Sequence, residues 1–222
     1  MDNLKELYQY RFSPQQLKVN EGLWATLCES FFQRFVKPTD VVLDLACGYG
    51  HFSRNIKAGK KYAVDLNADA AHYLPPEIQF IHTGATALHE IPDDSLDVVF
   101  TSNFFEHLPD KAAMDKVLQE VWRVLRVDGT FMALQPNLRY SGPRYWDYFD
   151  HQLPLTHLSC AEGFAKNGFR VTTLYPRFLP WSTQTRLPKF HWIIRLYLHL
   201  PWIWPLIGKQ FFILGTKKQG DR

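Results

Sequence analysis

The sequence contains few cysteines, and none of them is paired at a spacing that suggests a structural bridge or a metal. The three cysteines are Cys28, Cys47 and Cys160, and no Cys-x-x-Cys pattern occurs. This argues against a disulfide framework or a zinc site and favours a reducing, cytoplasmic environment. The N-terminus also lacks a basic flank followed by an apolar stretch, so we expect no secretory signal.

A long uninterrupted apolar run is also missing. The most apolar stretch, residues 187–207, is interrupted by Lys189, Arg195 and His199, and two prolines break any long helix there. Because a membrane span needs about 20 mostly apolar residues, we expect no span here. Two interpretations stay open: a lid or homodimer surface over a ligand pocket, or a surface that lies in a membrane interface, where Trp and basic residues are favoured.

Acidic residues are scarce in the C-terminal part of the chain. Residues 170–222 contain nine Lys or Arg residues and one acid, Asp221, a net charge of +8, which leaves −5 for residues 1–169. A basic, aromatic stretch indicates an anionic partner such as a phosphate or a membrane surface. A solvated basic face without a partner is the alternative.

Short apolar runs that alternate with helical patterns make up most of the sequence. The predicted strands are residues 41–45, 61–64, 78–82, 96–101, 130–134, 170–175 and 211–215. Residues 14–35 and 111–125 repeat apolar side chains at helical spacing. This alternation predicts an α/β fold with a parallel sheet covered on both faces, and 222 residues suffice for one domain with a large core.

The most informative segment is VVLDLACGYG at residues 41–50, followed by an acid at Asp65. The apolar run predicts a strand that is buried on both faces, and the glycines after it allow a sharp turn and a close approach to a ligand. Asp65 directly follows the second predicted strand, where a carboxylate can accept hydrogen bonds from both hydroxyls of a ribose. The segment therefore predicts a nucleoside site.

Two details distinguish this loop from a dinucleotide-binding loop. Ser53 stands where the third glycine of G-x-G-x-x-G should be, and Asp44 would repel a pyrophosphate but suit a cationic amine. A nicotinamide-dependent sugar oxidoreductase or epimerase is therefore the weaker alternative, and no Tyr-x-x-x-Lys pair supports it. Asp-Leu-Ala-Cys-Gly-Tyr-Gly instead resembles the first motif of class I S-adenosylmethionine-dependent methyltransferases.

Further segments share this resemblance. LDVVFTSNFFEHL at 96–108 resembles the fourth motif of the family, and Thr83-Gly84-Ala85 occupies the third motif with Gly84 in place of the usual acid. The resemblance implies that S-adenosylmethionine is bound by Asp44, Ala46, Gly48, Gly50, Asp65, Leu66, Gly84, Ala85 and Asn103. Tyr10 and Arg11, which precede the first predicted helix, are expected from their charge and position to close over the methionine carboxylate.

The resemblance also implies the architecture. It is a Rossmann-like, seven-stranded, mostly parallel sheet with helices on both faces, the class I methyltransferase fold. Within a single methyltransferase domain we expect an N-terminal helical cap at 1–37, a cofactor-binding core at 38–135 and acceptor-side loops, a basic aromatic lid and the last strands at 136–222.

Loops that follow strands four and five should line the acceptor side, because ligands lie at the carboxyl ends of such strands. The loop YWDYFDHQLPLTH at 145–157 supplies our candidate general base, His151, with Asp147 or Asp150 behind it. His107 ranks second. In the alternative interpretation these histidines satisfy loop backbone groups. No His, Cys, Asp or Glu residues show metal-ligand spacing, so we expect no metal.

The C-terminal half is also similar to small methyltransferases of polysaccharide and glycolipid biosynthesis, through SNFFEHL, QPNLRYSGPRYWDYFDH and RFLPWSTQTRLP. This implies methyl transfer to a hydroxyl or amine of a sugar, nucleotide-sugar or lipid-linked acceptor, with an anionic or lipid-linked small molecule as partner and no nucleic acid. We expect a cytoplasmic protein. Peripheral contact of residues 187–207 with the inner membrane face is an alternative that stays open. A non-catalytic, cofactor-binding membrane-surface module is a third alternative.

Overall fold

The computed structural model describes residues 13–180 and 190–218. Seven strands in this part of the chain form one sheet, in the order β3-β2-β1-β4-β5-β7-β6. They are β1 (Val41–Leu45), β2 (Lys60–Asp65), β3 (Ile78–His82), β4 (Leu96–Ser102), β5 (Leu125–Pro136), β6 (Phe169–Leu179) and β7 (Gln210–Lys217). Strands β1 to β5 pair in parallel, and β7 runs antiparallel to both β5 and β6. The predicted seven-stranded, mostly parallel sheet is confirmed.

Helices cover both faces of this sheet. The α-helices are α1 (Pro14–Ser30), α2 (His51–Asn55), α3 (Lys111–Val124), α4 (Leu138–Ser141), α5 (His157–Lys166), α6 (His191–Leu198) and α7 (Trp204–Ile207). The first helix begins at a capping box, in which Ser13 and Gln16 exchange side-chain hydrogen bonds with each other's backbone N–H. The single helix predicted over 14–35 instead ends at Ser30, and a 3-10 turn over Phe32–Phe35 follows it.

The two faces of the sheet form two separate cores, because successive side chains of a buried strand point in opposite directions. On one face, Phe131 of β5 stacks on Phe164 of α5, with ring centroids 5.1 Å apart. On the other, Phe31 contacts Phe178 and Phe212. Both layers hold the strands, and therefore the loops at their ends, in fixed positions.

The segment that was predicted as a lid or a membrane-interface surface has two unlike sides from residue 190 onward; residues 187–189 lie outside the described part. Ile194, Tyr197 and Trp204 are buried in the core beneath α1 and β6. The opposite side exposes large apolar side chains, namely Phe190, Trp192, Leu196, Trp202 and Leu206. We call this the outer aromatic face. Among the described residues, no helix has the length and apolar character needed to cross a membrane.

Candidate functional site

The loop after β1 is built from backbone conformations that few side chains tolerate. Ala46, Gly48 and Gly50 all have positive φ, at 57°, 54° and 66°. At Gly50 an added Cβ atom would force the end of the Leu74 side chain to move, and the positive φ itself favours glycine. The sequence predicted the turns at the two glycines but gave no sign that Ala46 would adopt the same left-handed region.

Asp44 is a buried carboxylate at the carboxyl end of β1. Its side chain is 3% exposed, and its Oδ2 accepts a hydrogen bond from the backbone N–H of Ser53, 3.1 Å away. Burial raises the pKa of Asp44 to about 7; hydrogen bonds from Ser53 oppose this rise and the charge of Asp65 adds to it. A cationic group that reached Asp44 would therefore be attracted strongly, whereas a diphosphate would be repelled.

Asp65 connects the loops that follow β1 and β2. Its Oδ2 accepts a hydrogen bond from Gly48 N (2.7 Å) and its Oδ1 accepts one from Asn67 N (2.8 Å). Burial raises the pKa of Asp65 above its usual value, although these hydrogen bonds counteract the rise. Each carboxylate oxygen has a further lone pair, so two neighbouring hydroxyls of a ligand can bind the same group.

Leu66 and Gly84 lie next to each other beside Asp65. The Leu66 side chain is 58% exposed, and a Cβ atom on Gly84 would come within 3.5 Å of its Cδ2. His82 Nε2 lies 2.9 Å from the backbone oxygen of Leu66 and holds the loop in place. Ala85 packs its side chain into the core, so only its backbone is able to face a ligand. Leu66 and Gly84 together form an apolar surface that suits a planar base.

Asn103 follows β4 with a φ of 47°. Its N–H donates to the backbone oxygen of Leu134 (2.9 Å), and its Oδ1 accepts a hydrogen bond from Gln210 Nε2 (2.6 Å). Gln135 Oε1 accepts from the next two backbone N–H groups, those of Phe104 and Phe105. Sequence reasoning missed both glutamines, which are remote from β4 in the chain. The predicted site residues Tyr10 and Arg11 lie outside the described residues.

On the predicted acceptor side, His107 contacts an aspartate. Its Nδ1 lies 3.2 Å from Oδ2 of Asp150. Burial alone would lower the pKa of His107, but the hydrogen bond that its ring N–H donates to the Asp150 carboxylate and the nearby charge of Glu106 raise it above its usual value. His151 stacks on Tyr148, with ring centroids 4.8 Å apart, and lies 5.2 Å from the His107 ring. Asp147 is exposed in the same loop.

Glu106 brings these two loops together. Its backbone oxygen accepts hydrogen bonds from Gln152 N (2.7 Å) and Leu153 N (3.1 Å), and its side chain is buried. One ligand atom each from Glu106, His107 and His151 lies within 4.8 Å of the other two. The sequence spacing did not predict a metal group because these residues come from two loops that are distant in the chain.

The central part of the chain matches a known family. Residues 43–133 match the family model described as a methyltransferase domain. The chain is similar to malonyl-[acyl-carrier protein] O-methyltransferase of Yersinia pestis, with 30% identity over 158 residues, 62% of this chain and 55% of that protein. It is also similar to the ubiquinone/menaquinone biosynthesis C-methyltransferase of Hydrogenovibrio crunogenus, with 30% identity over 114 residues, 45% of this chain and 43% of that protein. The chain spans about half the length of these relatives.

A solved structure resembles nearly the whole chain. It is an S-adenosylmethionine-dependent methyltransferase from Archaeoglobus fulgidus, with a TM-score of 0.68 and 21% identity, and the match covers 97% of this chain and 99% of that one. This likeness shows the fold, and it agrees with the fold class predicted from residues 41–65.

Proposed function

We propose, on the premise that residues 43–133 form a class I S-adenosylmethionine-dependent methyltransferase domain, that this protein transfers a methyl group to a hydroxyl or amine of a small acceptor. The domain match confirms the predicted cofactor, S-adenosylmethionine. The observation that carries the proposal is the buried Asp44 beside a left-handed glycine loop whose backbone is tied to Asp65. This arrangement suits a ligand that combines a cation with a ribose.

The residues of the site fit the cofactor group by group. Asp44 would attract the methionine ammonium, because its buried carboxylate gains a partner of opposite charge. Asp65 would accept hydrogen bonds from the ribose hydroxyls, and Leu66 beside Gly84 would pack on the adenine. When bound, S-adenosylmethionine supplies a methyl group on a sulfonium, which is a good leaving group. The protein then has mainly to orient the acceptor and exclude water.

The acceptor site is proposed to lie where the loops after β4 and β5 meet. We retain His151 as the candidate general base, supported by its position beside His107 and Tyr148. Asp150 contacts His107, whose ring centroid lies 5.2 Å from that of His151, whereas Asp147 is exposed; we therefore propose Asp150, acting through His107, as the carboxylate behind the base. Turnover by His151→Ala at saturating acceptor tests the base, since an unchanged rate would exclude that role.

The acceptor is proposed to be a sugar, a nucleotide-sugar or a lipid-linked glycan, with an oxygen as the methylated atom. The support is the resemblance of SNFFEHL, QPNLRYSGPRYWDYFDH and RFLPWSTQTRLP to small methyltransferases of polysaccharide and glycolipid biosynthesis, together with the basic charge of the C-terminal part, which favours an anionic acceptor. The relatives are named as a malonyl-[acyl-carrier protein] O-methyltransferase and a ubiquinone/menaquinone biosynthesis C-methyltransferase, so similar sequences serve unrelated acceptors. Labelled S-adenosylmethionine with a cell-extract metabolite pool would identify the methylated compound.

Calorimetry with S-adenosylhomocysteine and with NAD separates methyl transfer from nicotinamide chemistry. We expect S-adenosylhomocysteine to bind and NAD not to bind. Asp65→Ala should abolish the signal, while Glu77→Gln, an exposed acid just before β3 at the opposite edge of the sheet, should leave it unchanged. NAD binding, or equal binding by Asp65→Ala, would contradict the proposal. Binding without turnover on any acceptor would instead favour a non-catalytic module.

We also propose that the outer aromatic face contacts an anionic membrane surface. Trp192 and Trp202 are 68% and 66% exposed, and the chain around them carries the excess of positive charge. Co-sedimentation with anionic vesicles should weaken at high salt. Trp192→Ala combined with Trp202→Ala should weaken it by at least about tenfold, because each buried aromatic contributes about 1.5–3 kcal/mol. The control is Trp146→Ala, which removes an exposed tryptophan outside the outer aromatic face and should leave vesicle binding unchanged. A protein that forms dimers and does not co-sediment with anionic vesicles would overturn the proposed membrane contact.

A further inference from the structure

We propose that Glu106, His107 and His151 form a binding site for one divalent transition-metal ion on the acceptor side of the methyltransferase site. The position beside an acceptor rests on the proposed function, but the metal site itself rests on the geometry of these three side chains. They are the one group of this kind among the described residues.

The three side chains are close enough to bind one ion together. Their ligand atoms lie within 4.8 Å of one another. An ion with four bonds of about 2.1 Å in tetrahedral geometry places its ligands roughly 3.4 Å apart, so each ligand atom of a pair at the 4.8 Å limit would have to move by up to about 0.7 Å. Two imidazoles with one carboxylate suit Zn²⁺, Mn²⁺, Fe²⁺ or Co²⁺ better than Mg²⁺ or Ca²⁺, which prefer oxygen ligands alone.

The surroundings support metal binding in two ways. Asp150 Oδ2 lies 3.2 Å from Nδ1 of His107, which leaves Nε2 as the ligand atom. A carboxylate behind a ligating histidine is a common arrangement, because it fixes the orientation of the ring and raises its basicity. Glu106 is 3% exposed, and a buried carboxylate is stabilised by a cation.

The backbone holds the two halves of the site together before any ion binds. The hydrogen bonds from Gln152 N and Leu153 N to the Glu106 backbone oxygen fix the loop that contains His151 against the loop after β4. Gln135 Oε1 in turn holds the N–H groups of Phe104 and Phe105, which directly precede Glu106. A site with this much support needs little rearrangement to bind an ion.

The site has a chemical use in the proposed reaction. Three protein ligands leave coordination positions open, and Glu106 and His107 come three and four residues after Asn103 of the cofactor site. An ion here could bind an acceptor oxygen and lower the pKa of its hydroxyl, whose proton would pass to solvent. With an ion bound, His151 would act as a ligand, and the ion would replace the general-base role that is proposed above for His151 in the ion-free site.

The test measures metal binding by the tag-free, chelator-treated full chain. Calorimetry gives the affinity and stoichiometry, and the absorption spectrum of bound Co²⁺ reports its coordination. We expect one Co²⁺ per chain. Glu106→Gln and His151→Gln should each weaken binding by at least about tenfold, and Asp150→Asn, which alters only the positioning of His107, by about tenfold. His72→Gln, a histidine with a 79% exposed side chain, is the matched control and should bind Co²⁺ like the wild-type protein.

Calorimetry with S-adenosylhomocysteine on the same samples separates this inference from the proposed function. A wild-type protein that binds S-adenosylhomocysteine but no Co²⁺ overturns the metal site and leaves the methyltransferase proposal intact. Undiminished Co²⁺ binding by both ligand variants also overturns it. Near-UV circular dichroism checks folding, and if Glu106→Gln does not fold, His151→Gln on the partly exposed loop decides the question.

Discussion

The carboxylate of Asp65 accepts a hydrogen bond from the backbone N–H of Gly48, with 2.7 Å between the two atoms. A side chain at the end of β2 thus fixes the backbone of the loop after β1. The same carboxylate accepts from Asn67 N on its other oxygen. Asp65 is therefore expected to hold the loop after β1 in place as well as to bind the ribose. Substitutions of Asp65 should affect these two roles to different extents, in protein stability and in ligand affinity.

Asp65→Asn should separate these two roles. The amide can still accept one of the two backbone hydrogen bonds through Oδ1, but its NH₂ group cannot accept the other or bind a second hydroxyl. Hydrogen bonds to charged groups contribute about 1.5–3 kcal/mol each, so S-adenosylhomocysteine should bind at least about tenfold more weakly. Calorimetry measures this, and thermal unfolding should show a smaller loss for Asp65→Asn than for Asp65→Ala. Equal affinity of Asp65→Asn and the wild-type protein would contradict the prediction.

Cofactor binding should depend on pH through Asp44. Its pKa in the cofactor-free protein is raised to about 7, chiefly by burial, so the carboxyl is mostly protonated below that pH. Only the ionised form pairs with an ammonium group, and the affinity for S-adenosylhomocysteine should therefore fall as the pH drops below 7, by up to about tenfold per unit. Asp44→Asn should bind weakly with a flatter pH dependence. A wild-type affinity that is equal at about pH 5.5 and about pH 8 would count against this assignment.

The same carboxylate should reduce the stability of the cofactor-free protein. The unfolded chain binds the Asp44 proton with an ordinary pKa of 3.8, and the folded chain holds it up to about 7. The folded state therefore binds more protons between these values, and the free energy of unfolding falls as pH rises through this window, by up to about 4 kcal/mol. Asp44→Asn removes the ionisation and should be more stable than the wild-type protein near pH 8. Urea unfolding measures the difference, and a less stable variant at that pH would refute the prediction.

The sequence predicted the local conformation of the loop after β1 better than the contacts between the loops after β4 and β5, and the reason is physical. Asp44, Gly48 and Gly50 are close in the chain, and a strand followed by a tight turn determines their positions locally. Asp65 was predictable because β2 pairs in parallel with β1, so both strands end at one edge. The acceptor side depends on contacts between distant segments. The sequence suggested Asp147 or Asp150 behind His151, whereas the fold places Asp150 against His107.

Strand β7 illustrates the same limit within the fold. Its apolar run was visible in the sequence, but its insertion between β5 and β6 depends on pairing with two strands at once. Only that insertion brings Gln210, its first residue, to Asn103 after β4. No local pattern reveals this contact.

Gly50 should be intolerant of alanine. Its φ of 66° is unfavourable for an L residue, and the added Cβ would collide with the Leu74 side chain. Gly50→Ala should therefore lower the free energy of unfolding by about 1–3 kcal/mol and weaken cofactor binding, because the loop must move. Leu74→Ala in the same chain removes the collision but not the strain in φ, so it should restore part of the binding. If Gly50→Ala is neutral in urea unfolding, the loop conformation inferred here is wrong.

The hydrogen bond between Gln210 and Asn103 should couple the last strand to the cofactor loop. Gln210 Nε2 donates to Asn103 Oδ1 over 2.6 Å; Gln210 is 7% exposed, whereas Asn103 is exposed, so water is able to replace the lost donor at Asn103 Oδ1. We therefore expect Gln210→Ala to reduce stability by the net value of one hydrogen bond, about 0.5–1.5 kcal/mol, and to weaken S-adenosylhomocysteine binding.

Asn103→Gly provides the matched partner for this variant, because glycine keeps the positive φ of 47° and removes only the side chain. In a double-mutant cycle measured by urea unfolding, the Gln210→Ala and Asn103→Gly effects should be less than additive by about 0.5–1.5 kcal/mol. Thr216→Val, at the far end of β7, is the control and should show additivity with Asn103→Gly. Strict additivity of Gln210→Ala with Asn103→Gly would mean that the two side chains do not stabilise each other and that β7 does not position the loop after β4.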